Sequence, residues 1–214
     1  MSNEIAEEEI VPPPPEPTIP KHTEFECKYR VEPHLLTEFK KIVGNAPNLV
    51  KFLYVEGSDE YWVRDGAFAR YRRAEHGLDN GRAELTFKTK PEGAKNNIIR
   101  REINWRTDIT PPETIREGLK DLGFEFNFSI YKTCHIYNFE DATLVFYTVF
   151  DTTNGKASKT DSFAEIEVSE ERVSDMTEDQ AWAVIEKYEK ILEGIDLHPR
   201  NRMRRSLFEL YVRA

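Results

Sequence analysis

Apolar and charged residues alternate through residues 23–31, Thr-Glu-Phe-Glu-Cys-Lys-Tyr-Arg-Val, and a two-residue period sorts them onto two faces. Phe25, Cys27, Tyr29 and Val31 share one face; Glu24, Glu26, Lys28 and Arg30 share the other. Similar patterns predict strands at 52–55, 61–63, 68–73, 84–90, 98–105, 130–137, 144–150 and 163–168. Helices are predicted where the apolar period lengthens. Pro33 opens one through about Val43, with Leu35, Leu36, Phe39, Ile42 and Val43 as its stripe. A second begins near Thr110 and Pro112 and stops at Gly123, and a third runs from a Thr177 cap to about Leu192. A fourth covers about 202–212, and 151–161 reads as a polar loop. Strands outnumber helices and come in runs joined by short turns. The fold class is therefore α+β, on a mainly antiparallel sheet.

Composition divides the chain in two. Residues 1–20 hold five Glu, no Lys or Arg, and the run Val11-Pro-Pro-Pro-Pro-Glu16-Pro17. They read as a disordered acidic leader with a polyproline II section. Residues 21–214 suit one domain. The formal net charge of −9 excludes sequence-independent binding to duplex nucleic acid, which rests on a basic face. Cys27 and Cys134 have neither metal-ligand spacing nor a disulfide framework, which points to a reducing compartment. With no apolar run of spanning length and no apolar leader, the expected setting is cytoplasmic and away from membranes, as a monomer or homodimer.

The charged strand faces change the picture. Their acids are Glu24, Glu26, Glu102, Glu165 and Glu167, and their bases are Lys28, Arg30, Arg70, Arg72, Lys88, Lys90, Arg100 and Lys132. The opposite faces are strongly apolar and need covering by helices. If the sheet closes, the charged faces line a tunnel, the inverse of the usual barrel. Buried charge at this density is costly unless it is paired or meets a ligand. Carboxylate pairs suit a hard cation, Mg²⁺ or Mn²⁺. The bases suit a polyanion, with Arg offering bidentate contacts to phosphate oxygens.

At this point the residues resemble a known family. Glu24-x-Glu26-x-Lys28 followed by Tyr29-Arg30-Val31 is similar to the opening strand of the CYTH, or triphosphate tunnel metalloenzyme, superfamily. Class IV adenylate cyclases and thiamine, inorganic and RNA triphosphatases belong to it. The resemblance spans about 22–212 and takes in Asp59-x-Tyr61, Arg70-x-Arg72, Leu85-Thr86-Phe87-Lys88, Arg100-x-Glu102 and Lys132. It continues through Phe163-x-Glu165-x-Glu167 and Ser206-Leu207-Phe208-Glu209-Leu210.

The resemblance implies a closed eight-stranded antiparallel β-barrel with a charged interior and helices outside. It implies that Glu24, Glu26, Glu165 and Glu167 hold Mg²⁺ or Mn²⁺. Lys28, Arg70, Arg72, Lys88, Arg100 and Lys132 would hold a triphosphate, joined by Arg30 and Lys90 on the same faces. Lys28 and Glu102 would act in catalysis, Glu102 by orienting or deprotonating the nucleophile. The implied activity is a metal-dependent triphosphatase acting on a small-molecule triphosphate or an RNA 5′-triphosphate end. The alternatives are a class IV adenylate cyclase and a binding module without turnover. Three features depart from the family pattern: Cys134 where an Arg is common, Tyr147 where an Asp is common, and the long 151–161 segment in place of a glycine turn. Asp151 is the nearest acid to substitute for the missing one.

Overall fold

The computed structural model describes residues 23–65, 67–77, 81–89, 99–156, 160–195 and 197–213. Eight strands are β1 (Thr23–Val31), β2 (Leu49–Arg64), β3 (Ala67–Gly77), β4 (Ala83–Thr89), β5 (Ile99–Arg106), β6 (Glu125–Phe139), β7 (Ala142–Asp151) and β8 (Thr160–Val168). The helices are α1 (Leu36–Gly44), α2 (Pro112–Asp121), α3 (Glu170–Val173), α4 (Glu178–Ile191) and α5 (Leu207–Tyr211). All neighbouring strands are antiparallel, in the cyclic order β1-β5-β4-β3-β2-β6-β7-β8. β1 is the seam. Its first residues, Thr23 to Phe25, pair with β5, and Glu26 to Val31 pair with β8. The α+β class and the antiparallel eight-stranded sheet are as expected.

Strand alternation decides what faces out. Phe25, Cys27 and Tyr29 leave the barrel and pack with Ile166, Phe146 and Tyr137 beneath α1 and α4, which bury Phe39, Val43, Ala181, Ile185 and Tyr188. Phe25 meets Trp182 edge-on, with ring centroids 5.1 Å apart. On another side, Leu119 of α2 covers Trp62, Ala69, Tyr71 and Leu85. Residues 177–180 form the capping box that starts α4.

Several elements differ from the sequence reading. The strands at 52–55 and 61–63 are one long strand, β2. Its alternation runs unbroken from Val55 to Tyr61, since the register shift at Glu56/Gly57 is taken up by β3, but the polar run through Glu60 hides this continuity. β6 begins at Glu125, where Glu125, Phe126, Phe128 and Ser129 pair with β2; Asn127 sits at a register shift between them and its side chain bonds the Arg213 backbone instead. The last helix is only Leu207–Tyr211; before it the chain runs extended enough for Arg202 to bridge to Tyr29 of β1. The leader and Lys90 lie outside the described residues.

The interior is not charged throughout. At the end where β1 finishes and β8 begins, Tyr61, Phe128, Ile130, Tyr147, Val149 and Phe163 form an apolar plug with Leu207 and Tyr211 of α5. Phe208 of α5 stacks on Phe68 at 4.3 Å. One end of the tunnel is therefore stopped by the C-terminal helix. No helix among the described residues is long and apolar enough to cross a membrane.

Candidate functional site

The barrel encloses a cavity of about 400 Å³, lined by the inward residues of all eight strands and by Ser206, Leu207 and Phe208. Of the acids expected on the charged faces, Glu24, Glu26, Glu102, Glu165 and Glu167 all line it, and so do the bases Lys28, Arg70, Arg72, Lys88 and Lys132. Arg30 does not. It sits at the plugged end with its side chain 55% exposed and pairs with Asp161 at 2.6 Å, beside Tyr211 of α5, which donates to the same carboxylate. Arg100 is opposite Glu24 in the β1–β5 register, but its side chain lies outside what is described, as does Lys90 altogether.

The charges form three linked groups. Lys88 Nζ joins Glu24 at 2.8 Å and Glu102 at 2.6 Å, and Arg70 reaches Glu102 at 3.3 Å and donates to Thr86 Oγ1 at 3.0 Å. Lys28 pairs with Glu165 and, at 3.5 Å, with Glu26. In the third group Arg72 and Lys132 were expected in the site, but the acid between them, Asp59, was given no role there. Asp59 is buried, accepts from Arg72 Nε and Nη2 at 2.9 and 3.2 Å, and pairs with Lys132 at 2.6 Å. The signal for it was available: Asp59 has the inward parity of Val55, Gly57 and Tyr61.

Electrostatics follow from these contacts. Burial alone would raise the Asp59 carboxyl, but Arg72, Lys132 and Arg70 override it and hold the group far below the usual range. Lys132 is pushed below its usual range by burial and by Arg72, which Asp59 offsets only in part. The two shifts agree once Asp59 is seen as one anion shared among several cations. Glu165 is lowered: burial opposes this, and Lys28 and a Tyr147 hydroxyl bond of 2.7 Å outweigh it. Glu167 is pushed up to about 8 by burial and by Glu24 and Glu165. Cys134 faces the cavity with its thiol raised by burial, partly offset by Lys132 and Arg72. Asp151 takes no part in the cavity lining; Thr153 and Arg213 hold it at 2.7 and 3.1 Å at the strand end.

Among the described residues, no three His, Cys, Asp or Glu side chains stand together as a ready metal-holding group. Each of Glu24 and Glu165 is drawn instead to a lysine. The donors are nonetheless of the right kind. Glu26 and Glu167 are direct cross-strand partners, flanked by Glu24 and Glu165 on the same inward faces, and all are oxygen donors. The raised Glu167 carboxyl marks a surplus of negative charge there, which a hard divalent cation would relieve.

No protein-family model matches the chain, and no curated protein does. Solved structures do. A conserved hypothetical protein from Pyrococcus furiosus is 25% identical, with 87% of this chain and 99% of that one covered and a TM-score of 0.64. A candidate adenylate cyclase from Vibrio parahaemolyticus is 20% identical, with 89% and 98% covered and a TM-score of 0.56. The Mimivirus capping-enzyme triphosphatase is 12% identical, with 80% and 90% covered and a TM-score of 0.53. The chain is thus similar in fold to a candidate adenylate cyclase and a viral capping triphosphatase.

Proposed function

We propose that the tunnel is a metal-dependent triphosphatase site, releasing the terminal phosphate of a triphosphate-bearing substrate. The observation that carries this reading is the convergence of Glu24, Glu26, Glu165 and Glu167 with Arg70, Arg72, Lys88 and Lys132 on the walls of one cavity. The fold shared with a capping triphosphatase supports it.

In this reading Glu24, Glu26, Glu165 and Glu167 hold Mg²⁺ or Mn²⁺. When bound, the ion supplies positive charge to the phosphoryl oxygens. Lys28, Lys88, Arg70, Arg72 and Lys132 grip the triphosphate along its length, exchanging carboxylate partners for phosphate oxygens. Because they are fixed on strands, they reach the transferring group with little reorganisation. Glu102, already between Lys88 and Arg70, is placed to orient a water or take its proton. The α5 plug leaves the opposite end, where Arg82, Ala83 and Arg106 line the rim, as the way in.

One observation favours a second reading, binding without turnover. The Tyr147 hydroxyl engages Glu165, so one of the acids meant for the ion is already occupied by a donor. Incubation with ATP and Mg²⁺ or Mn²⁺, followed by product chromatography, separates the readings. ADP and phosphate are expected. Cyclic AMP and pyrophosphate would instead identify a cyclase. If ATP and tripolyphosphate both bind in calorimetry but give no product, the site is a binding module.

A further inference from the structure

The wall of the cavity differs between its two halves. Leading away from the α5 plug, the lining of β1, β5 and β8 stays charged or polar. On β1 Glu26 is followed by Glu24, on β8 Glu165 by Glu167, and on β5 Asn104 by Arg106. On the neighbouring strands β3, β2, β6 and β7 the charge stops part-way. The order outwards on β6 is Lys132, Cys134, Ile136, and on β2 it is Asp59, Gly57, Val55. On β3 Arg72 gives way to Ala74, and on β7 Tyr147 of the plug is followed by Val145.

These uncharged positions are contiguous. Val55 is opposite Cys134, Ile136 is opposite Val145, and Gly57 stands between Ala74 and Lys132. Gly57 keeps the wall low at its centre: a Cβ there would lie 2.1 Å from the Arg73 carbonyl oxygen, so no larger residue fits unless β3 moves. Val55 and Ile136 are half-buried, line the cavity, and pack against none of the three apolar clusters among the described residues. Aliphatic surface held open in this way is stabilised when an apolar group covers it. The cavity, about 400 Å³, lies within the roughly 300–1,000 Å³ of pockets that take small organic ligands.

The geometry points to a substrate whose triphosphate is esterified to an uncharged organic group that lies against Val55, Cys134, Ile136 and Val145, an assignment that rests on the triphosphate site proposed above. The terminal phosphate is drawn to the deep cations, so the other end of the phosphate chain faces the mouth. From Lys132 to Ile136 the strand advances roughly 13 Å, which carries the aliphatic patch outwards from the cation layer. A bare inorganic chain leaves this patch uncovered. A substrate that continued as a charged polymer would set its charge against Val55 and Ile136, where burial without a partner is costly.

Calorimetry in metal-free buffer, which keeps turnover off, tests the assignment by comparing methyl triphosphate with benzyl triphosphate. The two carry the same phosphate chain and charge and differ in apolar surface. The benzyl ester is expected to bind on the order of tenfold more tightly, the gain for burying about two methylene equivalents. In Ile136→Asn this ratio falls towards one, whereas the conservative Ile136→Leu keeps it. Val55→Asn, on the other side of the patch, gives a second reading of the ratio if Ile136→Asn folds poorly. Equal binding of the two esters, or a ratio that both asparagine variants leave intact, overturns the assignment while the triphosphate site stands. Failure of methyl triphosphate and tripolyphosphate alike to bind, with or without Mg²⁺, overturns the triphosphate site and this assignment with it.

Discussion

Asp59→Asn is the most informative single change, because it removes one buried anion from between cations and changes almost no volume. Asp59 is 1% exposed, accepts from Arg72 at 2.9 and 3.2 Å and is paired with Lys132 at 2.6 Å. Removing one member of a buried ion pair costs about 3–5 kcal/mol, mostly the penalty of leaving the other charge without its partner. Arg72 regains solvent on loss of Asp59, since its side chain is 39% exposed, so its share is discounted. Lys132, 10% exposed, carries most of the loss. The lower part of the range, about 3 kcal/mol, is therefore expected, or a fall in Tm of roughly 6–12 °C for a domain of this size.

Urea melts at pH 7 measure this loss. A second arm of the same assay isolates its cause. Tripolyphosphate should restore more stability to the variant than to the parent, because the anion meets cations that Asp59 no longer satisfies. The double variant Asp59→Asn with Lys132→Met should be more stable than Asp59→Asn alone. The pH dependence has a definite sign. Asp59 is depressed in the folded state, so its contribution is present above the unfolded carboxylate pKa and is lost as pH falls towards the folded value. The parent should therefore lose stability towards acid more steeply than the variant. A loss under 1 kcal/mol, or equal rescue of both proteins by tripolyphosphate, would refute the argument that Asp59 organises these cations.

Three further outcomes are expected. Glu26→Gln should abolish metal-dependent phosphate release while leaving the melting curve near that of the parent; surviving metal dependence would remove β1 from the ion site. Glu167, with its folded pKa near 8, keeps a proton that the unfolded chain loses above about 4.3, so it makes stability fall as pH rises between those values. In metal-free buffer, Glu167→Gln should flatten that fall and be at least as stable as the parent at pH 8, and an unchanged profile from pH 5 to 8 would count against it. Cys134→Arg should tighten tripolyphosphate binding about tenfold if a guanidinium there adds one charge-assisted contact, worth roughly 1.5 kcal/mol. No gain in calorimetry would mean that the thiol suits a different ligand.

The charged faces were legible because each lay on a short strand of strict alternation, as in Glu24, Glu26 and Lys28 or Glu165 and Glu167. Parity alone then put them on one wall. What parity could not tell was depth along the tunnel. Arg30 has the same parity as Lys28, yet it falls level with Phe163 of the plug and turns to Asp161. Asp59 was obscured for a different reason. It sits in a run of glycine and polar residues, Glu56 to Glu60, that carries no apolar alternation, and its neighbour Glu60 is also buried, on the outer side, by Arg116 at 3.1 Å. The plug was illegible because Phe128 and Phe163 look like any core aromatics until α5 arrives from a distant part of the chain.

The seam at β1 also has a consequence in time. β1 finds β8 as its partner for Glu26 to Val31, so the first of the described strands waits for the last of them. The C-terminal residues after β8 then complete the structure: Met203 N–H donates to Lys28 C=O at 2.7 Å, and Arg202 grips Glu189 at 2.7 Å. Contacts so far apart in sequence slow folding, because loop-closure entropy must be overcome before they form. During synthesis the apolar outer face of β1 has to wait, with Phe25 and Tyr29 open to solvent, until β8 has also left the ribosome. A chain cut short before β8 should therefore aggregate rather than fold into a smaller barrel.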